Sequence, residues 1–289
     1  MRVIMINKRG LFISLAVIVA LLVLIFVLLI PDTEGTSASS TGANDLTSSS
    51  SGTVSASTTT VEAYELDVAT ANRKELPVYG VDRDDKKIAL TIDAAWEDDK
   101  TDFILQELKA HDVHATFFLC GFWVEKYPDK VKAIHDGGHE IGNHSSTHPH
   151  MNNLSAAQIQ DEVTKYDDLL ESIIGERSKN FRAPYGEYND QVITTLRDMG
   201  YEVIQWTIDT IDWKEERSAE TILDKVMSKL APGSIILCHN NGYKIKEYLP
   251  TLLDSAIDQG YEFVTVSELL LTGDTMVDVN GIQKSVSGS

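Results

Sequence analysis

Cysteine and basic residues are both scarce in this chain, and each shortage removes a class of protein from consideration. Two cysteines occur, Cys120 and Cys238, and both end runs that are predicted to be core strands. We therefore expect buried free thiols and not a disulfide framework. Lys and Arg number 25 against 44 Asp and Glu, which gives a formal net charge of −19. With no basic patch or stripe, the sequence argues against nucleic acid as a partner.

Charge is missing altogether from residues 11–30, which are almost wholly Leu, Ile, Val, Ala and Phe. At about 1.5 Å per residue, a helix over this run would span roughly 30 Å, the thickness of a bilayer core. Arg2, Lys8 and Arg9 precede the run, so the positive-inside rule places the N-terminus in the cytoplasm. A cleaved signal peptide is the alternative, with a small-residue site near 37–40. Its apolar region is normally about 7–15 residues, which favours an uncleaved anchor.

Composition divides the chain into five predicted segments. Residues 1–10 are a cytoplasmic N-terminus, and residues 11–30 are the single-pass transmembrane anchor. Residues 31–75 are a Ser/Thr-rich linker with too little apolar surface to offset the entropy of ordering. Residues 76–272 hold the folded domain, and residues 273–289 form a polar C-terminal tail. The sequence thus predicts a membrane-anchored protein whose folded domain lies outside the cell membrane.

From about residue 86, short β-rich runs alternate with helical patterns. The predicted strands are 87–92, 114–119, 139–144, 180–184, 202–206, 234–239 and 262–266. The helical patterns lie at roughly 100–110, 124–136, 155–174, 189–199, 218–230 and 245–259. Ser155, Asn189 and Ser218 are start signals for three of them. Near-continuous apolar strands that alternate with helices predict an α/β fold with a parallel sheet. About seven strands indicate a barrel or a strongly curled sheet, with an open doubly wound sheet as the alternative.

Polar side chains fall at or just after the ends of the predicted strands. They are Asp93, His144, His148, Arg182, Asp209, Asp212 and His239. In parallel α/β architectures the carboxyl ends of the strands gather on one face, and active sites are built there. So many polar positions on one rim predict an enzyme.

Each of these residues has a chemical and a structural interpretation. His144 and His148 are four residues apart, and on a helical turn that spacing lets two imidazoles hold one metal ion, although surface histidines show it too. Arg182 either orients Asp93 or forms a purely structural ion pair with it. His239, if held by an aspartate, could be a general acid near neutral pH; the alternative is a hydrogen-bonded core histidine.

Five short motifs occur in a recognisable order: "TIDAAW", "HSSTH", "RAPY", "DTIDW" and "LCH". With these strand positions they resemble the polysaccharide deacetylases, a family of carbohydrate esterases with a NodB-homology domain, over roughly residues 80–270. The resemblance implies a distorted (β/α) barrel that removes N-acetyl groups from cell-wall glycan, either peptidoglycan or chitin-like N-acetylglucosamine polymers. It also implies a divalent metal, expected to be Zn²⁺ with Co²⁺ as the alternative. The partner is then an acetylated wall polysaccharide.

The resemblance assigns roles to the residues that match the family's motifs. Asp93 would be the general base, and His144 and His148 would bind the metal. Arg182 would orient Asp93. These four residues come from three separate motifs.

The remaining roles concern the leaving group and the acetyl group. His239 would protonate the leaving amine, with Asp212 fixing its tautomer. The backbone N–H of Tyr185 would help to hold the oxyanion, and Trp213 and Leu237 would line the acetyl pocket.

Ala94 departs from the family pattern, because the second aspartate of the family's T-F-D-D motif is normally the third metal ligand. Three outcomes follow: a site of two histidines and waters, recruitment of Asp93 or an acid at 97–99, or a glycan-binding pseudoenzyme. The "AAW" run resembles a sporulation-associated, PdaB-type subset that lacks this aspartate. We expect retained metal binding and some hydrolase activity. Cleavage of O-acetyl esters on xylan is a further alternative.

Overall fold

The computed structural model describes residues 75–286. The predicted cytoplasmic segment, anchor and most of the linker fall in residues 1–74, outside that range. No helix between residues 75 and 286 is both long and apolar enough to cross a membrane. The described residues belong to one compact unit, Thr60–Ser289.

Parallel strands form the centre of the fold, and their order follows the chain around a barrel. They are β2 (Lys87–Ala94), β3 (Thr116–Leu119), β4 (Glu140–Asn143), β5 (Asn180–Phe181), β6 (Glu202–Val203), β7 (Ile208–Asp209), β8 (Ile235–His239) and β9 (Glu262–Phe263). Seven of them pair in the order β6-β5-β4-β3-β2-β8-β7, and β9 pairs with the start of β2. The cyclic order excludes an open doubly wound sheet, whose order reverses at its middle. The prediction of a curled parallel sheet is confirmed, and the order is that of a distorted barrel.

One seam interrupts the barrel, because β6 and β7 follow each other in the chain without pairing. The first described segment covers this seam. Val78 bridges Ile204 in parallel, and Gly80 bridges Ser234 on the other side. The N–H of Gln205, inside the seam, donates to the carbonyl of Val78 at 2.7 Å. The chain before the first predicted strand therefore completes the barrel wall.

Helices cover the outside of the barrel. They are α1 (Thr101–Ala110), α2 (Gly121–Lys126), α3 (Pro128–Asp136), α4 (Ala156–Ile174), α5 (Asp190–Asp198), α6 (Ala219–Lys229), α7 (Ile245–Asp258) and α8 (Val266–Leu269), with short 3₁₀ turns at Met151–Asn153 and Pro184–Gly186. The predicted start signals are confirmed: the side chains of Ser155, Asn189 and Ser218 accept backbone N–H bonds in the first turns of α4, α5 and α6. Each bond satisfies a donor that the helix itself cannot pair.

Alternation along β2 decides which side chains face the interior of the barrel. Leu90, Ile92 and Ala94 pack in the cluster shared with the helices, whereas Ala89 belongs to an inner cluster with Phe118. Because side chains alternate between faces, Asp93 points into the barrel and Ala94 away from it. Both cysteines are buried and free, as predicted.

The C-terminal segment forms a small second sheet that the sequence interpretation of a polar tail did not anticipate. Strands β10 (Thr275–Val277) and β11 (Ile282–Ser285) form a hairpin, and β11 pairs in parallel with β1 (Gly80–Val81). The N–H of Tyr79 donates to the carbonyl of Gly281 at 2.8 Å. The sequence shows no apolar strand pattern here, because β10 has no fully buried side chain.

This packing predicts that Gly281→Ala destabilises the domain by about 1–3 kcal/mol through overpacking. A Cβ at Gly281 would clash with the ring of Tyr79, and φ there is 76°. Gly273→Ala is the matched control, since Gly273 has φ 88° and open space where an added Cβ would stand. Urea unfolding measures the difference. Equal losses in the two variants would contradict the packing of the hairpin on Tyr79.

Candidate active site

A cavity of about 670 Å³ opens at the carboxyl ends of the strands. Of the residues predicted for the site, Asp93, His144, His148, Tyr185, Trp213, Leu237 and His239 all line it. Arg182 and Asp212 do not line it and are fully buried behind it. The structure therefore brings together residues that lie up to about 150 positions apart in the sequence.

Arg182 connects the two halves of the site through both its side chain and its backbone. Its Nη1 donates to Asp93 Oδ1 at 2.7 Å and to Thr91 Oγ1 at 2.9 Å, and Nη2 donates to the carbonyl of Gln205 at 3.0 Å. Its own carbonyl accepts from Nδ1 of His144 at 2.8 Å. The guanidinium also lies 4.1 Å from the centre of the Phe118 ring. One buried residue thus fixes the positions of Asp93 and His144.

Asp93 is held as a carboxylate despite being only 7% exposed. Burial by itself raises the pKa of a carboxyl, but the positive charges of Arg182 and His239 and the hydrogen bond from Arg182 outweigh it, so the pKa of Asp93 is lowered. Its second oxygen, Oδ2, lies 3.7 Å from Nε2 of His144. Asp93 is therefore an ionised proton acceptor inside the cavity.

A loop, and not a helical turn, brings the two histidines together. Residues 144–150 form no helix. Ser145 and His148 have φ of 66° and 57°, in the left-handed region, and the N–H of His148 donates to Ser145 Oγ at 2.9 Å. Asn143 Oδ1 accepts the N–H of Ser145 at 2.8 Å. These bonds fold the loop so that the two imidazole centres are 5.0 Å apart.

Unfavourable backbone conformations are concentrated around the cavity. Outside glycine, φ is positive at Glu97, Ser145, His148, Tyr185 and Ile211, all beside or within the site, and at two further positions. Such conformations cost of order 1–3 kcal/mol each and persist where surrounding contacts determine them. Their clustering here indicates that the loops are built to aim particular side chains.

Both histidines of the pair are neutral. Burial lowers the pKa of His144, and burial and the neighbouring His144 lower the pKa of His148 to about 4. Since Nδ1–H of His144 donates to the Arg182 carbonyl, its Nε2 carries no proton, and this nitrogen lies 3.7 Å from Asp93 Oδ2. Nδ1 of His148 is buried and has no hydrogen-bond partner within residues 75–286. Neutral imidazoles with available nitrogens are suited to a metal ion.

The donor set is nevertheless incomplete for a divalent metal. Within residues 75–286, no group of three or more His, Cys, Asp or Glu side chains is placed to hold one. Ala94 is fully buried in the core, and the acids at 97–99 do not line the cavity. Asp93 Oδ2 is the carboxylate oxygen in contact with His144. The residues present thus offer two nitrogens and lack the dedicated third ligand.

His239 stands beside Asp93 and has the opposite electrostatic environment. The two residues are direct neighbours on the paired strands β2 and β8. Nδ1 of the His239 ring is 2.7 Å from Asp212 Oδ1. The backbone N–H of His239 donates to Asp212 Oδ2 at 3.1 Å. Burial lowers the pKa of His239, but the hydrogen bond and charge of Asp212 outweigh burial and raise it to about 9. His239 is therefore a protonated imidazole near neutral pH.

Several cavity residues were not identified from the sequence. Tyr79 and Tyr188 line the cavity with their hydroxyls 2.9 Å apart, and Gln205 and Trp206 line it from the seam. Gln205 and Trp206 end the predicted strand 202–206, so the strand-end rule could have found them. Nothing in the sequence places Tyr79 there, because it precedes every predicted strand.

The comparisons with known proteins agree with the motifs. The family model described as polysaccharide deacetylase matches residues 80–204. The Bacillus cereus peptidoglycan-N-acetylglucosamine deacetylase is 35% identical over 190 residues, covering 64% of this chain and 69% of that protein. Bacillus subtilis YlxY, an uncharacterized protein, is 36% identical over 195 residues, 67% of this chain and 60% of its own length. The match to Bacillus subtilis PdaC, a peptidoglycan-N-acetylmuramic acid deacetylase, is 36% identical and spans 40% of it.

Two solved structures are informative. BA3943, a CE4 family pseudoenzyme from Bacillus anthracis, is 37% identical with a TM-score of 0.64, covering 67% of this chain and 68% of that one. A mutant of BA3943 with restored enzymatic activity matches equally well in TM-score. PdaA from Bacillus subtilis, a family 4 carbohydrate esterase, is 31% identical with a TM-score of 0.64, covering 67% of this chain and 84% of that one.

The Asp212–His239 pair predicts a distinctive titration. We expect His239 to titrate near pH 9. Asp212→Asn should lower that pKa, because the substitution removes the negative charge that raises it and leaves the lowering effect of burial. NMR of the imidazole protons measures it. In the wild type, this raised pKa contributes stability that is complete below about pH 6.5 and is lost as the pH rises towards 9.

Asp209→Asn is the matched control for this titration. Asp209 also lines the cavity and contributes a smaller raising effect on His239. The Asp209→Asn substitution should therefore lower the pKa of His239 by less than Asp212→Asn does. A pKa for His239 that is the same in the wild type and in Asp212→Asn would contradict the assigned pairing.

Proposed function

This chain belongs to the polysaccharide deacetylase family, and on that premise we propose that its folded domain hydrolyses N-acetyl groups on cell-wall glycan. The observation that carries the proposal is the pairing of an ionised Asp93 with a protonated His239 on adjacent strands of one cavity. Amide hydrolysis needs one group that accepts a proton and another that donates one. The two residues hold those states near neutral pH.

Asp93 supplies the base. Arg182 occupies its Oδ1, which leaves Oδ2 to take the proton of the attacking water. Because the guanidinium is buried and also bonded to Thr91, the carboxylate cannot rotate without breaking that pair. A fixed acceptor of this kind contributes about 10²–10⁴-fold to rate.

His239 supplies the acid. Asp212 engages Nδ1, so the remaining proton lies on Nε2, where it can pass to the leaving nitrogen. Tyr248 also donates to Asp212 Oδ2 at 2.7 Å, which fixes the carboxylate from behind. Tyr185 has φ 60° at the turn after Arg182, and its backbone N–H is proposed to hold the oxyanion. The acetyl group is proposed to lie against Trp213 and Leu237, which line the cavity.

A divalent metal, Zn²⁺ or Co²⁺, would be held by His144 and His148. When bound, such an ion polarises the acetyl carbonyl and acidifies water. The missing aspartate at Ala94 means that the affinity of this site for metal is lower than that of a site with a full ligand set.

Location is part of the proposal. The apolar run at 11–30 supports a single-pass anchor in the cell membrane, and the Ser/Thr-rich segment that follows would tether the domain outside it. Peptidoglycan is the acetylated polymer that the deacetylase relatives act on by name. Membership of the PdaB-type subset rests on the Ala94-Ala95-Trp96 run and stays a prediction.

A glycan-binding pseudoenzyme is the second candidate function. It is favoured by one observation, the incomplete metal donor set around His144 and His148. The resemblance to the pseudoenzyme BA3943 agrees with it. Against it stands the Asp212–His239 pair, in which a fully buried carboxylate holds the imidazole, because binding alone does not require such a pair.

Acetate release tests the proposal. With Zn²⁺ or Co²⁺ added, the wild type should release acetate from peptidoglycan or N-acetylglucosamine oligomers. Asp93→Asn should lower kcat/KM by about 10²–10⁴-fold, because an amide cannot accept the proton. Asp161→Asn, at an exposed carboxylate paired with Lys165, is the control and should match the wild type. If the wild type released no acetate from these substrates or from acetylated xylan, the proposed hydrolysis would be contradicted, and the glycan-binding pseudoenzyme would be the remaining candidate.

Metal binding is a separate expectation. Isothermal titration of the wild-type protein with Zn²⁺ should show one site that His148→Ala weakens by more than about 10-fold, since losing even an outer partner of a ligand costs roughly 10–100-fold. His135→Ala, at a half-exposed histidine paired with Asp136, is the matched control. Equal binding by the wild type and His148→Ala would show that the ion does not bind at this pair.

A further inference from the structure

A cluster of buried polar side chains adjoins the loop 144–150 and takes no part in the proposed proton transfers. Its members are Asn143, Asp167 and Tyr201, each at most 6% exposed, and none of them lines the cavity. They come from the end of β4, from α4 and from the residue before β6. Burying polar groups costs free energy unless they are hydrogen-bonded, so the contacts within the cluster decide what it does.

Asp167 sets the direction of the hydrogen bonds in this cluster. Its oxygens accept from Asn143 Nδ2 at 3.5 Å and from the hydroxyl of Tyr201. A carboxylate offers acceptors only, so the single proton of the Tyr201 hydroxyl is directed to Asp167. The oxygen of Tyr201 is then left to accept, and it accepts from Asn143 Nδ2 at 3.4 Å.

These bonds fix the orientation of the Asn143 amide. Its Nδ2 faces three acceptors, because the carbonyl of Val163 also accepts from it, at 3.3 Å. Its Oδ1 is thereby turned to the loop, where it accepts the N–H of Ser145 at 2.8 Å. A flipped amide would set its oxygen against the carboxylate of Asp167 and the carbonyl of Val163. It would also leave the Ser145 N–H without this acceptor.

Ser145 carries the constraint on to His148. Its φ of 66° is unfavourable for a residue with a Cβ, so this backbone conformation depends on the contacts that hold it. In this conformation, Ser145 Oγ accepts the N–H of His148 at 2.9 Å. An unbroken series of hydrogen bonds therefore connects Asp167, through Asn143 and Ser145, to the backbone of His148.

We propose that Asp167 is a positioning residue for the histidine pair: it holds the Asn143 amide in the one orientation that keeps the His148 imidazole beside that of His144. The proposal rests on the proposed function, in which these two histidines hold the metal. Without an acceptor at Asp167, the Tyr201 hydroxyl would be able to donate to Asn143 Oδ1, and the flipped amide would become acceptable. If the cluster only anchored α4 to the barrel, its loss would change stability alone.

Asp167→Asn is the informative variant, because an amide of the same size can present either a donor or an acceptor to its neighbours. We expect it to weaken Zn²⁺ binding about tenfold, since loss of an outer partner of a metal ligand costs roughly 10–100-fold. Isothermal titration of the intact protein measures the affinity. In the metal-free protein, nuclear Overhauser effects between the ring protons of His144 and His148 should also weaken, because the loop holds these ring centres 5.0 Å apart.

Glu140→Gln is the matched control, the same chemical change at the opposite end of β4. The carboxylate of Glu140 also lies in a polar cluster, where it accepts from Thr116 Oγ1 at 2.8 Å and from Asn180 Nδ2 at 2.7 Å. Urea unfolding measures the stability of both variants. Glu140→Gln should keep the Zn²⁺ affinity and the Overhauser effects of the wild type, whatever stability it loses.

A double-mutant cycle with Asn143→Ala tests the route through Asn143. In the Asn143→Ala background, Asp167→Asn should weaken Zn²⁺ binding no further, because the amide through which it acts is gone. Where Asn143→Ala does not fold, Asp167→Asn against Glu140→Gln carries the test. Wild-type affinity and Overhauser effects in Asp167→Asn, or losses that add in the cycle, would overturn the proposal.

The two readouts separate this proposal from the proposed function. The Overhauser effects are recorded without metal and without glycan, so they report the placement of His148 alone. A wild type that binds no Zn²⁺ would contradict the metal role of the histidine pair. The positioning role of Asp167 would then stand or fall on whether Asp167→Asn weakens the Overhauser effects.

Discussion

The buried guanidinium of Arg182 is the interaction on which the rest of the site depends. A charge with no exposed surface is tolerated only when it is paired and hydrogen-bonded, and removing one partner of such a pair costs about 3–5 kcal/mol. Arg182 meets that demand with Asp93, Thr91 and a carbonyl in the seam. Its backbone also fixes the tautomer of His144. The Arg182 guanidinium and the Asp93 carboxylate therefore stabilise each other inside the barrel.

Neighbouring strands give two titratable groups opposite environments. Positive charge around Asp93 lowers its pKa, while Asp212 raises the pKa of His239, and the two residues are register partners on β2 and β8. Groups whose environments move their pKa values apart are the natural acid and base of a site. In the proposed function, the departure at Ala94 affects the metal ligands and leaves the Asp93–His239 pair intact.

Much of the barrel and most of the site could be predicted from the sequence, because strand ends and helix caps are local signals. The helix caps Ser155, Asn189 and Ser218 are examples. The side chain of each accepts a backbone N–H from within the next four residues. The loop that aims His148 could not be predicted, since it depends on left-handed backbone at non-glycine residues. Tyr79 could not be predicted either. It reaches the cavity only because the N-terminal segment fills the seam and the C-terminal hairpin packs against it.

The pH dependence of acetate release from a soluble N-acetylglucosamine oligomer tests the central claim most directly. With Asp93 ionised and His239 protonated, kcat/KM should stay level from about pH 5 to 8 and fall as His239 loses its proton near 9. A profile that falls between pH 6 and 7, or one that rises steeply there, would contradict the assignment of His239 as the protonated acid beside an ionised Asp93.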